Sequence, residues 1–456
     1  MLFSQIEFLI FFAIVLLAVW TVRSNRTRKA ILLVASYYFY AYWDYRFCGL
    51  LLLSTAVDFY VANAMHASNH TGKRKALLLL SLIVNLGMLG YFKYAGFFVE
   101  SARAILDGYG LGSEPLEIIL PVGISFFTFQ TLSYTIDVYR RKLQPTPSLL
   151  DFALFVAFFP QLVAGPIVRA RELLPQLTSF PSFSRRRLYG GFQMFLCGAV
   201  KKVLLADRLG EMSDVVFAGP DLYGGLTVWL AVIAYAGQIY YDFSGYTDMA
   251  IGAAKMLGYR FPVNFRHPYL AISMADFWHR WHMTLSRWLR DYLYIPLGGS
   301  RGGSLATYRN LMITMTLGGL WHGAAWTFVL WGIWHGLALS VQRVFSIQLP
   351  KPLSWLITVG VVLVGWVLFR SPDMQSANAV FSQMAFARPG IHWFPPLAIG
   401  AIAIMVAEHL AWRTSLRRAM RLPIDAWYSP IATAIMLWCI VLYAPESFKP
   451  FVYFQF

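Results

Sequence analysis

The sequence predicts an all-α protein that crosses a membrane many times. Three observations carry this. Hydrophobic residues make up 58% of the 456-residue chain and charged residues only 13%, about half the charged share of an ordinary soluble domain. The apolar runs continue for about 15–23 residues, as membrane helices do, whereas barrel strands alternate over about ten residues. The formal net charge of +16 comes from basic residues in short loops between apolar runs. That is the positive-inside pattern, with attraction to anionic headgroups as a second effect of the same charges, and no nucleic-acid partner is implied. Hydrocarbon offers the backbone no water, so each crossing must satisfy its own hydrogen bonds as a helix.

The elements follow in order. Met1 to Val22 reads as an uncleaved first helix with its N-terminus outside, because the basic cluster Arg23 to Lys29 follows the apolar run instead of preceding it. Apolar stretches at about 30–43 and 47–65 lead to a cytoplasmic loop with Lys73, Arg74 and Lys75. Helices at about 76–98 and 117–136 flank an outward loop with Asp107, Glu114 and Glu117; Arg140, Arg141 and Lys142 bring the chain back. Phe152 to Val168 is apolar but holds Pro160, Gly165 and Pro166 between two basic loops, so a broken or re-entrant segment buried in protein is expected, with a kinked ordinary span as the alternative. Helices at about 189–206 and 222–241 are joined by an acidic outer loop with Glu211, Asp214 and Asp221. The 249–258 run is too short to cross alone. Residues 259–303 form an amphipathic, basic and aromatic segment at the cytoplasmic face. Apolar runs resume at about 309–321, 324–341, 353–369, 394–411 and 428–444, with a basic loop of Arg413, Arg417, Arg418 and Arg421 before the last and the C-terminal Phe-Val-Tyr-Phe-Gln-Phe outside. About 11–13 membrane segments result, in a single membrane domain over residues 1–456 without the internal repeat of many transporters.

Ionisable groups inside a membrane are costly and therefore candidate functional residues. His322, in Leu317-Gly-Gly-Leu-Trp-His-Gly-Ala, is the leading one: imidazole can take and return a proton near neutral pH, and the glycines let another backbone or a thin acyl chain come close. His335, in Trp334-His335-Gly336, lies thirteen residues further on. A packed core histidine is the alternative for each. His282 stands in the run from Asp276 to Tyr294. On one continuous helix, Trp278, Trp281, Leu285, Trp288 and Leu289 form an apolar face, while Arg280, Arg287 and Arg290 add a basic edge. That edge is either an interfacial helix or a collar that attracts the phosphates of coenzyme A or an acidic carrier protein. Asp242, Ser244 and Asp248 cluster in Gln238 to Met249 as a site or as a polar helix break. Their spacing does not make a calcium loop, and a Ser-His-Asp triad with His322 cannot be read from spacing. Cys48, Cys197 and Cys439 lie far apart with no CxxC pair, so no metal site and no redox chemistry are expected.

At these residues the chain resembles the membrane-bound O-acyltransferases (MBOAT), closest to the bacterial alginate O-acetylation type. The resemblance rests on Ala35-Ser-Tyr-Tyr-Phe-Tyr-Ala-Tyr-Trp, Leu89-Gly-Tyr-Phe-Lys-Tyr, Leu120-Pro-Val-Gly-Ile-Ser-Phe-Phe-Thr-Phe-Gln, Phe159-Pro-Gln-Leu-Val-Ala-Gly-Pro-Ile, Tyr241-Asp-Phe-Ser-Gly-Tyr-Thr-Asp-Met-Ala-Ile-Gly, the Arg280 to Tyr294 run and the two Trp-His-Gly units. Each motif is weak alone; their order over nearly the whole chain is specific. The resemblance maps the family's invariant histidine onto His322 and its second histidine, near the cytoplasmic entrance, onto His282. One departure is visible: the family usually has Trp-Arg-Arg-Trp-His where this chain has Trp278-His-Arg-Trp-His, which removes one arginine from the collar.

The resemblance implies an O-acyltransferase of the bacterial inner membrane with no bound cofactor. Its donor would be a cytoplasmic acyl thioester, acetyl-CoA first, docking at Arg280, Arg287 and Arg290. Trp321, His335, Asp242 and Ser244 would line a tunnel, and His322, aided by His282, would act as base on an acceptor hydroxyl. The acceptor would be an extracytoplasmic polysaccharide, alginate first, with peptidoglycan or cellulose as alternatives. A periplasmic SGNH-type acetyltransferase would complete the transfer. A membrane transporter and a secretion-complex scaffold are the readings from other classes. A transporter would move the whole donor, and a scaffold would tolerate loss of His322.

Overall fold

The all-α expectation holds: every regular element in the described part of the chain is helical, and one isolated bridge joins Tyr223 and Ile391. The computed structural model describes residues 1, 3–106, 118–345, 349–412, 423–443 and 451–452. The expected acidic loop of Asp107, Glu114 and Glu117, the basic loop of Arg413, Arg417, Arg418 and Arg421, and the C-terminal residues after Val452 lie outside these. Helical stretches at Asn25–Ala67, Thr71–Arg103, Arg185–Ala218 and Lys351–Arg370 are long and apolar enough to cross a membrane by length and composition. Ile6–Thr21, Pro396–Ala411 and Tyr428–Leu442 are shorter apolar helices. The chain divides into two compact units.

The first unit holds Met1–Phe192 and Ala250–Pro262. It contains α1 (Ile6–Thr21), α2 (Asn25–Asp44), α3 (Cys48–Ala67), α4 (Thr71–Leu89), α5 (Ala95–Leu106), α6 (Ile124–Tyr139), α7 (Leu149–Ala157), α8 (Phe159–Leu162) and α9 (Ala170–Leu177), and it includes the start of α10 (Arg185–Val200). Ser24 and Ser148 cap α2 and α7 by accepting the backbone N–H groups of Thr27 and Asp151, which satisfies donors a helix start leaves open. Polar groups on α3, α4 and α6 meet each other inside the unit. The Ser54 hydroxyl donates to Asn85 Oδ1 at 2.6 Å, and Asn85 Nδ2 donates to Asp58 Oδ2 at 2.9 Å. Paired in this way, they avoid the cost of unsatisfied burial. The segment Phe152 to Val168 is broken and packed within protein. Phe158, at ψ 108°, ends α7; Pro160 sits in the first turn of α8, and residues 151–170 are buried throughout. Proline is tolerated there because the first-turn N–H has no intrahelical acceptor anyway.

The second unit holds Gln193–Met249 and Val263–Phe456. Beyond the end of α10 it contains α11 (Asp207–Ala218), most of α12 (Gly225–Met256), α13 (Met274–Arg280), α14 (Met283–Leu289), α15 (Gly303–His322), α16 (Trp326–Val344), α17 (Lys351–Arg370), α18 (Met374–Met384), α19 (Pro396–Ala411) and α20 (Tyr428–Leu442). Three expectations are corrected here. Glu211 and Asp214 are not in a loop but on α11, and the connection to α12 is only residues 219–224. The polar stretch 238–249 does not break the chain, and 249–258 is no separate run: α12, 32 residues long, holds the first and continues through Met256 of the second. The physical reason is partnering. A π-helical stretch, Lys201–Ala206, carries two lysines to α12: Lys201 Nζ lies 2.8 Å from Asp248 Oδ2, and Lys202 Nζ lies 2.6 Å from Asp242 Oδ1 and 2.9 Å from Asp207 Oδ1. Buried carboxylates with such partners can stay in a continuous helix. Finally, Asp276 to Tyr294 is not one helix. It breaks between α13 and α14 at His282, whose φ is +41°.

α15 and α16 pack as a close hairpin through their glycines. A Cβ on Gly319 would stand 2.2 Å from the Phe328 carbonyl oxygen, and one on Gly332 would stand 2.4 Å from that of Met315. Glycine admits this approach where any side chain would collide, so Gly319, beside His322, serves a neighbouring backbone, while Gly323 makes room for the Phe328 ring. Gly319→Ala is therefore expected to destabilise the protein by about 1–3 kcal/mol through overpacking. The check is the melting temperature of detergent-solubilised protein; an unchanged value would contradict this packing.

Candidate active site

His322 is the last residue of α15, and the extended Gly323 turns the chain away directly after it. The imidazole is 6% exposed. Aromatic rings enclose it: Trp321 at 5.0 Å, Trp331 of α16 at 5.2 Å and Phe369 of α17 at 5.4 Å between centroids, all steeply tilted to its plane. Edge-to-face contacts of this kind fix the orientation of a ring. The His282 ring centre is 6.3 Å from that of His322, so the structure brings together the two histidines singled out in the sequence.

His282 is fully buried, in the left-handed conformation that starts α14. Asn264 holds it there. Asn264 Oδ1 accepts from Thr284 N at 3.1 Å and from Thr284 Oγ1 at 2.9 Å, and it lies 3.2 Å from His282 Nδ1. The Asn264 backbone carbonyl accepts from Met283 N at 2.9 Å. These contacts replace the first-turn hydrogen bonds that an uninterrupted helix would supply, which explains the break. They also assign the tautomer. The atom facing the Thr284 N–H must be the amide oxygen, so His282 Nδ1 must be the donor and Nε2 the lone-pair nitrogen. Complete burial pushes the His282 imidazolium pKa down to about 3, because a desolvated charge is costly; the ring is neutral at pH 7. Phe243 of α12 packs edge-on against it at 4.7 Å.

The remaining sequence candidates fall into three places. His335 is fully buried beside Trp331 at 4.8 Å and Trp278 at 5.2 Å, and neither ring nitrogen has a hydrogen-bond partner. Asp242 and Ser244 flank Phe243, about 100° to either side of it on α12. Both Asp242 oxygens are engaged, one by Lys202 and the other by the Val452 N–H at 2.7 Å. The buried Ser244 hydroxyl has no hydrogen-bond partner, so no hydrogen-bonded Ser-His-Asp relay runs through it. Arg280 pairs with Asp276 at 2.7 Å, exposed Arg290 pairs with Asp291 at 2.7 Å, and Arg287 donates to the Met283 carbonyl at 3.3 Å. The basic edge is thus partly neutralised by its own neighbours. Sequence reasoning missed Asn264, Trp331 and Phe369. Trp331 and Phe369 read only as apolar residues, and no local pattern links Asn264 to a residue eighteen positions later.

The comparisons with known proteins bear on this same stretch. Residues 34–369, which include both histidines and Asn264, match the family model described as MBOAT, membrane-bound O-acyltransferase. The chain is 45% identical over 392 residues to the probable alginate O-acetylase AlgI of Azotobacter vinelandii, covering 84% of this chain and 78% of that protein. It is 39% identical over 489 residues to the protein of the same name in Pseudomonas putida, covering all of both chains. It is also 39% identical over 389 residues to a peptidoglycan O-acetyltransferase of Helicobacter pylori, covering 78% of this chain and 73% of that one.

The tautomer is directly measurable. Nitrogen-15 NMR of histidine-labelled protein at pH 7 is expected to show His282 as the neutral Nδ1–H form, changed by Asn264→Leu. An Nε2–H form or an imidazolium in the wild type would contradict the hydrogen bonding described.

Proposed function

Because this chain belongs to the membrane-bound O-acyltransferase family, we propose that it moves acetyl groups from a cytoplasmic thioester, acetyl-CoA, across the bacterial inner membrane to an extracytoplasmic polysaccharide, with His322 as general base. The observation that carries the reading is the pair of enclosed imidazoles, His322 and His282, 6.3 Å apart. In the proposed step His322 removes the proton of an acceptor hydroxyl as the oxygen attacks the thioester carbonyl carbon. The carbon–sulfur bond then breaks, and the sulfur leaves as thiolate and takes up a proton. The neutral His282 presents Nε2 as an acceptor and can orient the hydroxyl or relay its proton. Dry aromatic walls from Trp321 and Trp331 would keep water from hydrolysing the thioester.

Arg280, Arg287 and Arg290 are proposed to meet the phosphates of the donor, and His335 to stiffen the wall behind Trp331. Asp242 is proposed to act at a distance, by holding α12 and hence Phe243 against His282, and Ser244 to line the substrate tunnel. The names of the relatives support alginate or a similar polymer as the acceptor, and the Helicobacter relative supports peptidoglycan as the second reading. A periplasmic SGNH-type acetyltransferase is proposed to finish the transfer.

His322→Ala should lower polymer acetylation by about 10²–10⁴-fold at unchanged protein level. Normal acetylation would refute the role. With donor labelled separately in the acetyl and CoA parts, only the acetyl label should cross the membrane; passage of both labels would indicate a transporter.

A further inference from the structure

A second cluster of histidine and carboxylate stands apart from the His322–His282 pair. His267 lies just before Pro268 with φ +48°, a conformation that costs a side-chain-bearing residue energy and is kept only where the surroundings impose it. Glu408 and His409 are consecutive in the last turn of α19. One ligand atom from each of the three lies within 4.8 Å of the other two, the one such group among the described residues. Glu408 and His409 also lie beyond residues 34–369, the stretch matched by the family model.

The polar atoms are arranged as in a ligand set. The Met405 carbonyl lies 2.9 Å from His409 Nδ1, so that nitrogen must carry the hydrogen and Nε2 must carry the lone pair. His409 Nε2 is buried without a hydrogen-bond partner, and so is His267 Nδ1. His267 Nδ1 faces Glu408 Oε1 across 3.8 Å, too far for a hydrogen bond. The other Glu408 oxygen accepts the Tyr241 hydroxyl at 2.8 Å. Carboxylates and imidazoles that bind metals are held in this way by outer hydrogen bonds. Lys201 and Arg280, the cations whose charge reaches His267, are paired with Asp248 and Asp276. Aromatic packing against Trp412, at 4.1 Å, accounts for the face of the His267 ring, but it does not account for two buried ring nitrogens, neither of them hydrogen-bonded, beside a carboxylate.

We propose that His267 Nδ1, Glu408 Oε1 and His409 Nε2 bind one divalent transition-metal ion of the zinc class. Two imidazoles and one carboxylate suit zinc, cobalt or nickel, whereas calcium and magnesium require mostly oxygen ligands. Metal–ligand distances of about 2.0–2.2 Å require the three atoms to draw in by roughly 1 Å, within reach of side-chain rotation. His409 also lines an apolar cavity of about 760 Å³ with Tyr269 and Trp355. The ion would tie the His267 loop to the end of α19 and, through Tyr241, to α12.

The test uses full-length protein in detergent, stripped with chelator and titrated with cobalt(II), then with zinc. The expected result is saturation at one ion per chain, visible absorption bands of four- or five-coordinate cobalt, displacement by zinc, and a higher melting temperature with zinc. Glu408→Gln and His409→Gln should weaken binding on the order of 100-fold. Non-saturable binding, a purely octahedral cobalt spectrum, or wild-type affinity in both variants would overturn the proposal. The wild-type spectrum decides even if a variant fails to fold. Neither result depends on acetyl transfer, so the proposal stands or falls apart from the function above.

Discussion

One side-chain carbonyl organises the site. Asn264 Oδ1 gathers the Thr284 N–H, the Thr284 hydroxyl and His282 Nδ1, and in doing so it stops a helix, fixes a tautomer and turns an imidazole toward a second one. A buried acceptor with three donors is fully used, and any rearrangement would leave several of these groups unsatisfied in a dry interior. That makes the break between α13 and α14 a rigid feature. His322 is fixed differently, by the glycine contacts that seat α15 on α16 and by rings that enclose it from three helices. One histidine is thus positioned by hydrogen bonds and the other by packing, and proton transfer benefits when both partners are held before substrate arrives.

Charge burial supports this arrangement from behind. Lys202 sits between Asp207 and Asp242, and Lys201 meets Asp248. Their worth lies in the unpaired charge that removing one partner would leave. The pairs hold α12 as one long helix, and Phe243, on the same turns, presses on His282. Asp242 and Ser244 drew notice in the sequence as polar residues in an apolar run. The ion pair with Lys202 makes Asp242 a support for α12, whereas the Ser244 hydroxyl is buried without a hydrogen-bond partner.

Much of the fold was legible because membrane solvent imposes simple rules. The long apolar runs became α2, α3, α4 and α17, and the proline- and glycine-bearing run Phe152 to Val168 is broken and buried. The failures share a cause. Glu211 and Asp214 looked like a loop, Asp242 to Asp248 looked like a break, and Asp276 to Tyr294 looked like one helix. For the last two the deciding partners, Lys201, Lys202 and Asn264, are remote in sequence, as is Arg370, which pairs with Asp214; periodicity carries no information about them. His282 and His322 stood out as candidates because ionisable groups are rare in such a chain. Asn264 did not, because asparagine in a polar loop is ordinary. The His267–Glu408–His409 group was missed because attention to cysteine spacing does not reach histidines brought together by folding.

If Asn264 acts only by holding His282, the two residues form a single functional unit and their losses must not multiply. The most direct measurement is the acetyl-transfer rate of the wild type, Asn264→Ala, His282→Ala and the double variant, each at equal protein level. The account predicts that the double variant is no slower than His282→Ala alone, within about twofold. Independent, multiplying losses would contradict it.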